Sequence, residues 1–354
     1  MKGINRTKDE KWDAAPEEFI SIIIPFRNES ENILQSLESI ANQDYTKDNY
    51  EVIYINDKSV DDSMEKITKA DKSCNVKVIS VPSYFLSDAG KIRAIKFGIE
   101  NSNGKIIITT DCDCIHQRDW LSSMIKCFDQ KTGFIAGPVV ITDGKTLFGK
   151  IQKLEFAGLV LAGAGLLGIN KPVICNSANL AFKRDAYDLA GGFQIGKDSF
   201  SSADEFLMLS IKNKTNYAVK FCWSNDSITS TKASNSVKEF FKQRIRWAGK
   251  DWKRYGADIL LQLVLVYLFY TGLIVQLIFG IVLSAVFLYS FLASFLIKIF
   301  SEYRILKNGK GLFYDRLILK IFFLAEILHI PYILIAGLSG VFSGFNWKKR
   351  KFNL

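Results

Sequence analysis

The chain has 354 residues, 48% of them hydrophobic, with six cysteines, two histidines and a net charge of +10. The two histidines, His116 and His329, stand far apart, which excludes a histidine-pair metal site and leaves nothing on which to anchor a Ser/His/Asp arrangement. The basic residues gather beside long apolar runs, with Lys242, Arg244, Arg246, Lys250, Lys253 and Arg254 before the first and Lys348 to Lys351 after the last. That placement favours an anionic membrane surface over nucleic acid, for which no motif is present.

Residues 1–18 form a polar, charged tail without a secretory signal, so the soluble part is expected to face the cytoplasm. Cys74, Cys112, Cys114, Cys127, Cys175 and Cys222 are then expected as free thiols. Cys112 and Cys114 are two apart with no second pair, which argues against zinc. The apolar run from Phe19 to Pro25 reads as a buried strand. Asn28 is expected to cap a helix, with Glu31 in the capping-box position and Ile33, Leu34, Leu37, Ile40 and Ala41 on one face.

Strands follow at Glu51–Asn56, Val76–Val81 and Lys105–Thr110, with a helix from Lys91 to Glu100 between the last two. Strands apolar throughout, alternating with helices, predict an α/β fold with a mostly parallel central sheet covered on both faces. Ligands of such sheets bind at the carboxyl ends of the strands, which singles out Asn28, Asp57, Asp111 and Asp113.

Beyond residue 125 the pattern loosens: a strand within Gly133–Thr142, a helix from Leu147 to Leu161, a strand-like run over Val173–Phe182, and an acidic spot at Asp204-Glu205. Residues 19–125 and 126–256 are read as two halves of one domain. The triplet Gly163, Gly165 and Gly168 fits the dinucleotide fingerprint, but it ends a helical stretch instead of following a strand, so it predicts no such site.

From Ile259 to Phe300 the only strongly polar side chains are Gln262, Gln276 and Lys298. A crossing needs roughly 20 apolar residues, so this run predicts two, near 259–278 and 280–299. A further run, Leu317 to Phe345, is interrupted by Lys320, Glu326, His329 and Pro331. Both flanks and the connector carrying Arg304, Lys307 and Lys310 are basic. The tendency of positive loops to stay inside therefore predicts a re-entrant or interfacial segment at 317–345, kinked at Pro331. The membrane region is thus expected at 257–346, followed by a basic tail at 347–354.

Four motifs carry chemistry. Asp111-Cys112-Asp113, two carboxylates one residue apart after a strand, suits a divalent cation such as Mg²⁺ or Mn²⁺, which takes one or two carboxylates and completes its shell with water and phosphate oxygens. Asp57 suits either a nucleoside contact or an Asx turn. Asp204 suits either a general base or an exposed acidic helix start. In Gln243-Arg-Ile-Arg246-Trp247, Arg246 can clamp phosphate and Trp247 can stack on a sugar, although both residue types also anchor helices at membrane interfaces.

In order along the chain, these pieces resemble the family-2 inverting glycosyltransferases of GT-A fold, which include cellulose, chitin and hyaluronan synthases. The resemblance runs from Ser21 to Gly249. Ser21-Ile-Ile-Ile-Pro-Phe-Arg-Asn28-Glu29 is similar to the opening strand and its Asn-Glu turn, and Asn56-Asp57-Lys-Ser-Val-Asp61 to the uridine-contacting segment, with Asn56 in place of an Asp. Gly90-Lys91 resembles the segment near the nucleotide phosphates, Asp111-Cys-Asp113 the DxD motif, and Asn176-Ser-Ala-Asn179 with Gly191-Gly192 the acceptor-side segment. Ala203-Asp204-Glu205-Phe-Leu207 stands at the catalytic acidic motif, with Ala203 where an acid often stands, and Gln243-x-x-Arg246-Trp247 matches QxxRW in full.

The resemblance implies a nucleotide-sugar donor, most often UDP-linked, bound through Asn28, Glu29, Asp57, Lys91, Asp111 and Asp113. It also implies metal on Asp113 and Asp111, Asp204 as base, and Gln243, Arg246, Trp247 and Asn179 toward the acceptor and diphosphate. The expected acceptor is a lipid or lipid-linked glycan at the cytoplasmic membrane face. A processive polysaccharide synthase is the alternative enzyme, and a transporter or scaffold the non-enzymatic one.

Overall fold

Every residue of the strand Ile20–Phe26 is buried, and this run of apolar and β-branched side chains forms the middle of the sheet, as its lack of alternation requires. The computed structural model describes residues 1–10, 12, 18–70, 75–83, 90–142, 146–193, 202–249, 255–314, 316–342, 345–347 and 350–352. The expectations placed on Cys74, Lys250, Lys253, Arg254, Lys348 and Lys349 lie outside them.

In chain order the elements are α1 (Lys2–Lys8), β1 (Ile20–Phe26), α2 (Ile33–Ala41), β2 (Tyr50–Asn56), α3 (Ser63–Lys69), β3 (Val76–Ser80), α4 (Lys91–Glu100), β4 (Ile106–Thr109), β5 (Ile115–His116), α5 (Trp120–Lys126), β6 (Thr132–Ala136) and β7 (Val139–Ile141). They continue with α6 (Leu147–Gly168), β8 (Leu180–Lys183), α7 (Arg184–Leu189), α8 (Ala203–Lys214), β9 (Ala218–Phe221), β10 (Thr229–Thr231), α9 (Val237–Ala248), α10 (Ala257–Val282), α11 (Ala285–Asn308), α12 (Phe322–Phe342), β11 (Phe345–Trp347) and β12 (Arg350–Phe352). Two compact units result, 1–142 with 162–232, and 143–161 with 233–354.

The first unit holds a seven-stranded sheet of order β3-β2-β1-β4-β8-β6-β9. All neighbours run parallel except β8, which is antiparallel to both β4 and β6. The sheet is thus the expected mostly parallel one. Its order reverses between β1 and β4, and the loop following β4 carries Asp111. This is the switch point at which open α/β sheets bind ligands.

Four local expectations are corrected. Asn28 caps no helix: its backbone is left-handed (φ 51°), its side-chain oxygen accepts from the Val60 N–H at 2.9 Å, and α2 starts only after Asn32. The strand over 133–142 breaks at Gly137-Pro138 into β6 and β7, because proline has no N–H to give a ladder. Of the run 173–182, only the part from Leu180 is strand. Cys127 and Cys222, 95 residues apart, form a disulfide, so they are not the expected free thiols.

The glycine triplet lies inside α6, where it serves helix packing. A Cβ at Gly168 would come within 2.0 Å of the Gly3 carbonyl oxygen, and Thr7 bridges to the Ala164 carbonyl at 3.2 Å.

Among the described residues, four helices are long and apolar enough to cross a membrane: Leu147–Gly168, Ala257–Val282, Ala285–Asn308 and Leu319–Gly340. Half of the first is buried in the protein, against 11% of each of the next two and 28% of the last, which marks α6 as a packed helix and leaves the C-terminal three as the candidate membrane helices. Side chains such as Leu261, Ile281, Tyr289 and Ile297 face outward, as lipid requires. In the second unit, α10 and α11 form a hairpin turned at Leu283-Ser284 around Tyr270, Leu273, Phe295 and Ile330. α12 is helical through Pro331.

Candidate active site

The loops after β1 and β2 are laced together. Besides the Asn28–Val60 bond, the Asn28 N–H donates to Ser59 Oγ (3.1 Å), the Glu29 N–H to Ser63 Oγ (2.8 Å) and the Ser30 N–H to Asp61 (3.1 Å). Asn56, where the family pattern has an acid, pins the following turn by accepting from the Ser59 N–H, three residues on, at 2.9 Å. Asn28 and Glu29 therefore tie the two loops together, Asn28 through both its backbone and its side chain. Asp57, 1% exposed, ends β2 in an ion pair with Arg93 on α4, while Arg27 donates to its carbonyl oxygen at 2.8 Å. Arg93 was not foreseen: its neighbour Lys91 carried the motif, and nothing in the spacing couples Arg93 to a residue 36 positions earlier.

The central feature is Lys91, at the start of α4. Its ammonium is ion-paired with Asp111 and donates to Ser177 Oγ at 2.8 Å. Burial works against this charge, but Asp111, Asp204 and Asp113 outweigh it and hold the lysine pKa above its ordinary value. Three acids from two distant segments, 111–113 and 204, thus share the field of one cation. Asp113 is exposed at the tip of the turn closed by the Cys114 N–H bonding to the Asp111 carbonyl (3.1 Å), and it accepts a weak bond from the Cys114 thiol. Burial, with Asp113 and Asp111 adding to it, pushes that thiol well up, so it stays protonated.

Asp204 lies in the first turn of α8. Its Oδ1 is sealed from solvent and has no hydrogen-bond partner among the described residues. Burial raises its pKa, Lys91 draws it down, and Asp111 and Glu205 push it up again, to about 6. A carboxylate held there is poised to accept a proton near neutral pH. His116 is taken up by the protein interior: burial lowers its pKa to about 3, it bonds Thr110 at 2.8 Å, and its ring lies tilted against Trp120.

Asn179 does not fit its expected place at the acceptor. It is fully buried; its amide donates to the Pro138 and Ser227 carbonyls (2.9 and 2.8 Å) and its oxygen accepts from Trp120 Nε1 (3.0 Å), leaving no group for a ligand. The member of that segment which faces the charged cluster is Ser177.

Gln243, Arg246 and Trp247 lie on α9 of the second unit, a helix whose N-cap Ser236 accepts from the Glu239 N–H while the Glu239 carboxylate accepts from the Asn235 N–H. Gln243 Oε1 accepts from Arg244 at 2.6 Å, so its amide N–H groups remain as donors. The Trp247 ring lies 5.8 Å from Phe156 and 4.2 Å from the Arg244 guanidinium. Arg244, expected at lipid headgroups, is 3% exposed and paired with Glu155, so it belongs to the interior of this unit.

Two family models match. One described as glycosyl transferase family 2 covers residues 21–189, and one described as glycosyl transferase family group 2 covers residues 106–339. The chain belongs to the family-2 group of glycosyl transferases.

Among curated relatives it is 26% identical over 244 residues to a probable glycosyltransferase, YdaM, of Bacillus subtilis, covering 67% of this chain and 57% of that one. It is 26% identical over 258 residues to the poly-beta-1,6-N-acetyl-D-glucosamine synthase of Staphylococcus epidermidis (70% and 58%). A shorter stretch, 112 residues, is 34% identical to the dolichyl N-acetyl-alpha-D-glucosaminyl phosphate 3-beta-D-2,3-diacetamido-2,3-dideoxy-beta-D-glucuronosyltransferase of Methanococcus voltae, covering 32% of this chain and 34% of that one. The chain thus spans less than three-fifths of the length of these relatives.

Among solved structures, a mannosyltransferase from Pyrobaculum calidifontis in complex with GDP-Man and Mn²⁺ superposes with a TM-score of 0.59 at 18% identity, over 95% of this chain and 92% of that one. This establishes the fold as GT-A-like.

Proposed function

We propose that this protein is a membrane-anchored, metal-dependent, inverting glycosyltransferase. It moves a sugar from a nucleoside-diphosphate donor onto a lipid or lipid-linked acceptor at the cytoplasmic face. The observation that carries the proposal is the convergence of Asp111, Asp113 and Asp204 on Lys91 at the switch point of the sheet. The donor set fits a hard divalent ion: oxygen ligands only, with a lysine ammonium already standing among them as a cation. Asp113 and Asp111 would hold Mg²⁺ or Mn²⁺, which when bound neutralises the charge that develops on the leaving diphosphate.

The chain's own residues supply the rest. Asp57 and the loop rim of Asn28 and Glu29 receive the nucleoside, and Lys91 serves the diphosphate. Asp204 takes the proton from the acceptor hydroxyl as that oxygen attacks the anomeric carbon from the face opposite the leaving group, so configuration inverts. Arg246, Trp247 and the donor face of Gln243 are assigned to the acceptor and diphosphate on the strength of the QxxRW motif. Uridine is the favoured base, although the structural neighbour holds a guanosine nucleotide.

A second reading, processive polymer synthesis, is favoured by the similarity to the Staphylococcus epidermidis synthase. Both readings are tested on the full chain in lipid nanodiscs. UDP- and GDP-sugars are screened for thermal stabilisation with and without Mn²⁺, and the lipid extract is then analysed by mass spectrometry. Metal-dependent stabilisation and addition of one sugar mass are expected. A ladder of sugar additions would favour the synthase, and absence of any nucleotide-sugar response would remove both.

A further inference from the structure

The Lys91 ammonium is bonded to one of the two carboxylates assigned to the metal. The ion pair with Asp111 leaves the lysine side chain 21% and the aspartate side chain 31% exposed, so the ammonium, on a four-carbon stem with several rotatable bonds, is partly open to solvent. Ser177 Oγ, at 2.8 Å, holds the ammonium in this carboxylate-facing position from the other side. An ammonium and a divalent ion on the same carboxylate repel each other strongly at such short range. A donor diphosphate offers the ammonium a richer set of oxygens than a single carboxylate and a hydroxyl do.

We propose that Lys91 competes with the divalent metal for Asp111, and that the donor diphosphate ends the competition by drawing the ammonium to itself, so that metal and nucleotide bind strongly only together. The proposal rests on the reading of Asp111 and Asp113 as metal ligands. It assigns Ser177, in the segment whose Asn179 the motif reading had given to the acceptor and diphosphate, the different function of holding the ammonium in the competing position. The arithmetic is that of a minor competent state: the apparent metal affinity is lowered by the fraction of molecules in which Asp111 is not taken by Lys91.

The test is Mn²⁺ binding, read by electron paramagnetic resonance of the free ion, to the full-length protein in nanodiscs with and without UDP or GDP. Wild type is expected to bind Mn²⁺ alone weakly and at least about tenfold more tightly with nucleotide. Lys91→Met is expected to bind Mn²⁺ alone about tenfold more tightly than wild type, with little further gain from nucleotide. Ser177→Ala, which keeps the lysine, should shift the affinity for Mn²⁺ alone the same way by about threefold. If neither variant binds Mn²⁺ alone more tightly while wild type keeps its nucleotide-dependent gain, the competition is wrong and the metal assignment survives. If wild type binds no Mn²⁺ even with nucleotide, both fall.

Discussion

Lys91 in the first compact unit and Lys298 in the second each stand among carboxylates, and the two sets are finished differently. Lys298, in the helical unit, contacts Glu326 and lies 3.1 Å from Glu302; Glu302 is held in turn by the Tyr270 hydroxyl (3.1 Å) and faces His329 (3.6 Å). The Lys298 and Glu326 side chains are only 2% and 6% exposed. Every charge there has a partner, as an apolar bundle demands.

The set around Lys91 is more open: Asp113 reaches solvent, and one oxygen of Asp204 has no hydrogen bond among the described residues. By geometry alone the helical set looks more like a metal site, since Glu302, Glu326 and His329 bring three ligand atoms within 4.8 Å of one another. The ammonium of Lys298 already fills that role. On the proposed function, openness to solvent and to a ligand, more than the number of charges, separates the Lys91 set from one that holds helices together.

That contrast can be broken most directly at Asp204. Asp204→Asn preserves shape and removes the base, so transfer should fall about 10²–10⁴-fold while Mn²⁺-dependent nucleotide binding stays at the wild-type level. Wild-type turnover in this variant would take the base role from Asp204. The corresponding change in the closed set should act on folding instead. Lys298→Met strands two carboxylates among apolar helices and should cost about 3–5 kcal/mol of stability, read as a lowered unfolding temperature in nanodiscs. Lys298→Met combined with Glu326→Gln should recover part of the loss. A Lys298→Met protein that unfolds like wild type yet no longer transfers sugar would make the helical set a second functional site.

A smaller effect is expected from pH. The raised Asp204 pKa, about 6, belongs to the protein without donor, so kcat/KM should fall about tenfold per pH unit as pH drops below that value. A cation bound beside the carboxylate favours its charged form, which should carry the limb in kcat to lower pH. The sign is fixed by the role: a base must be deprotonated, so activity is lost on the acid side. Coincident limbs in kcat and kcat/KM would place Asp204 out of reach of the bound metal.

Much of the first unit was legible because its strands are apolar from end to end and its acids fall where those strands stop: Asp57, Asp111 and the mostly parallel sheet follow from pattern alone, whereas the strand order does not. What was not legible depends on contacts distant in sequence. Asn179 and Ser177 stand two residues apart in one motif, and only the fold shows that the first is spent on Trp120, Pro138 and Ser227 while the second faces Lys91. Cys127 and Cys222 lie in segments with no shared spacing. In the second unit, hydropathy located the helices, but charge counting misread Arg244, since a basic residue beside an apolar run looks the same whether it meets lipid or Glu155.

Arg244 also sets the smallest and sharpest prediction. Glu155 on α6 receives the guanidinium of Arg244 from α9 and, at 2.9 Å, the hydroxyl of Tyr332 from α12, while the Phe240 ring packs 4.5 Å from the same guanidinium and 5.3 Å from the Tyr332 ring. One carboxylate therefore ties the motif helix to a membrane helix. Tyr332→Phe removes one oxygen from this set and leaves the ion pair and the aromatic packing in place. A hydrogen bond to a charged group contributes about 1.5–3 kcal/mol, so the unfolding temperature should drop by a few degrees and no more. Because Arg244 still holds Gln243 and Trp247, the KM values should stay unchanged. Glu155→Gln, which removes the charge that fixes Arg244, should lower stability further and also raise the acceptor KM. If Tyr332→Phe alone shifts that KM, the membrane helix reaches the motif by a route other than Glu155.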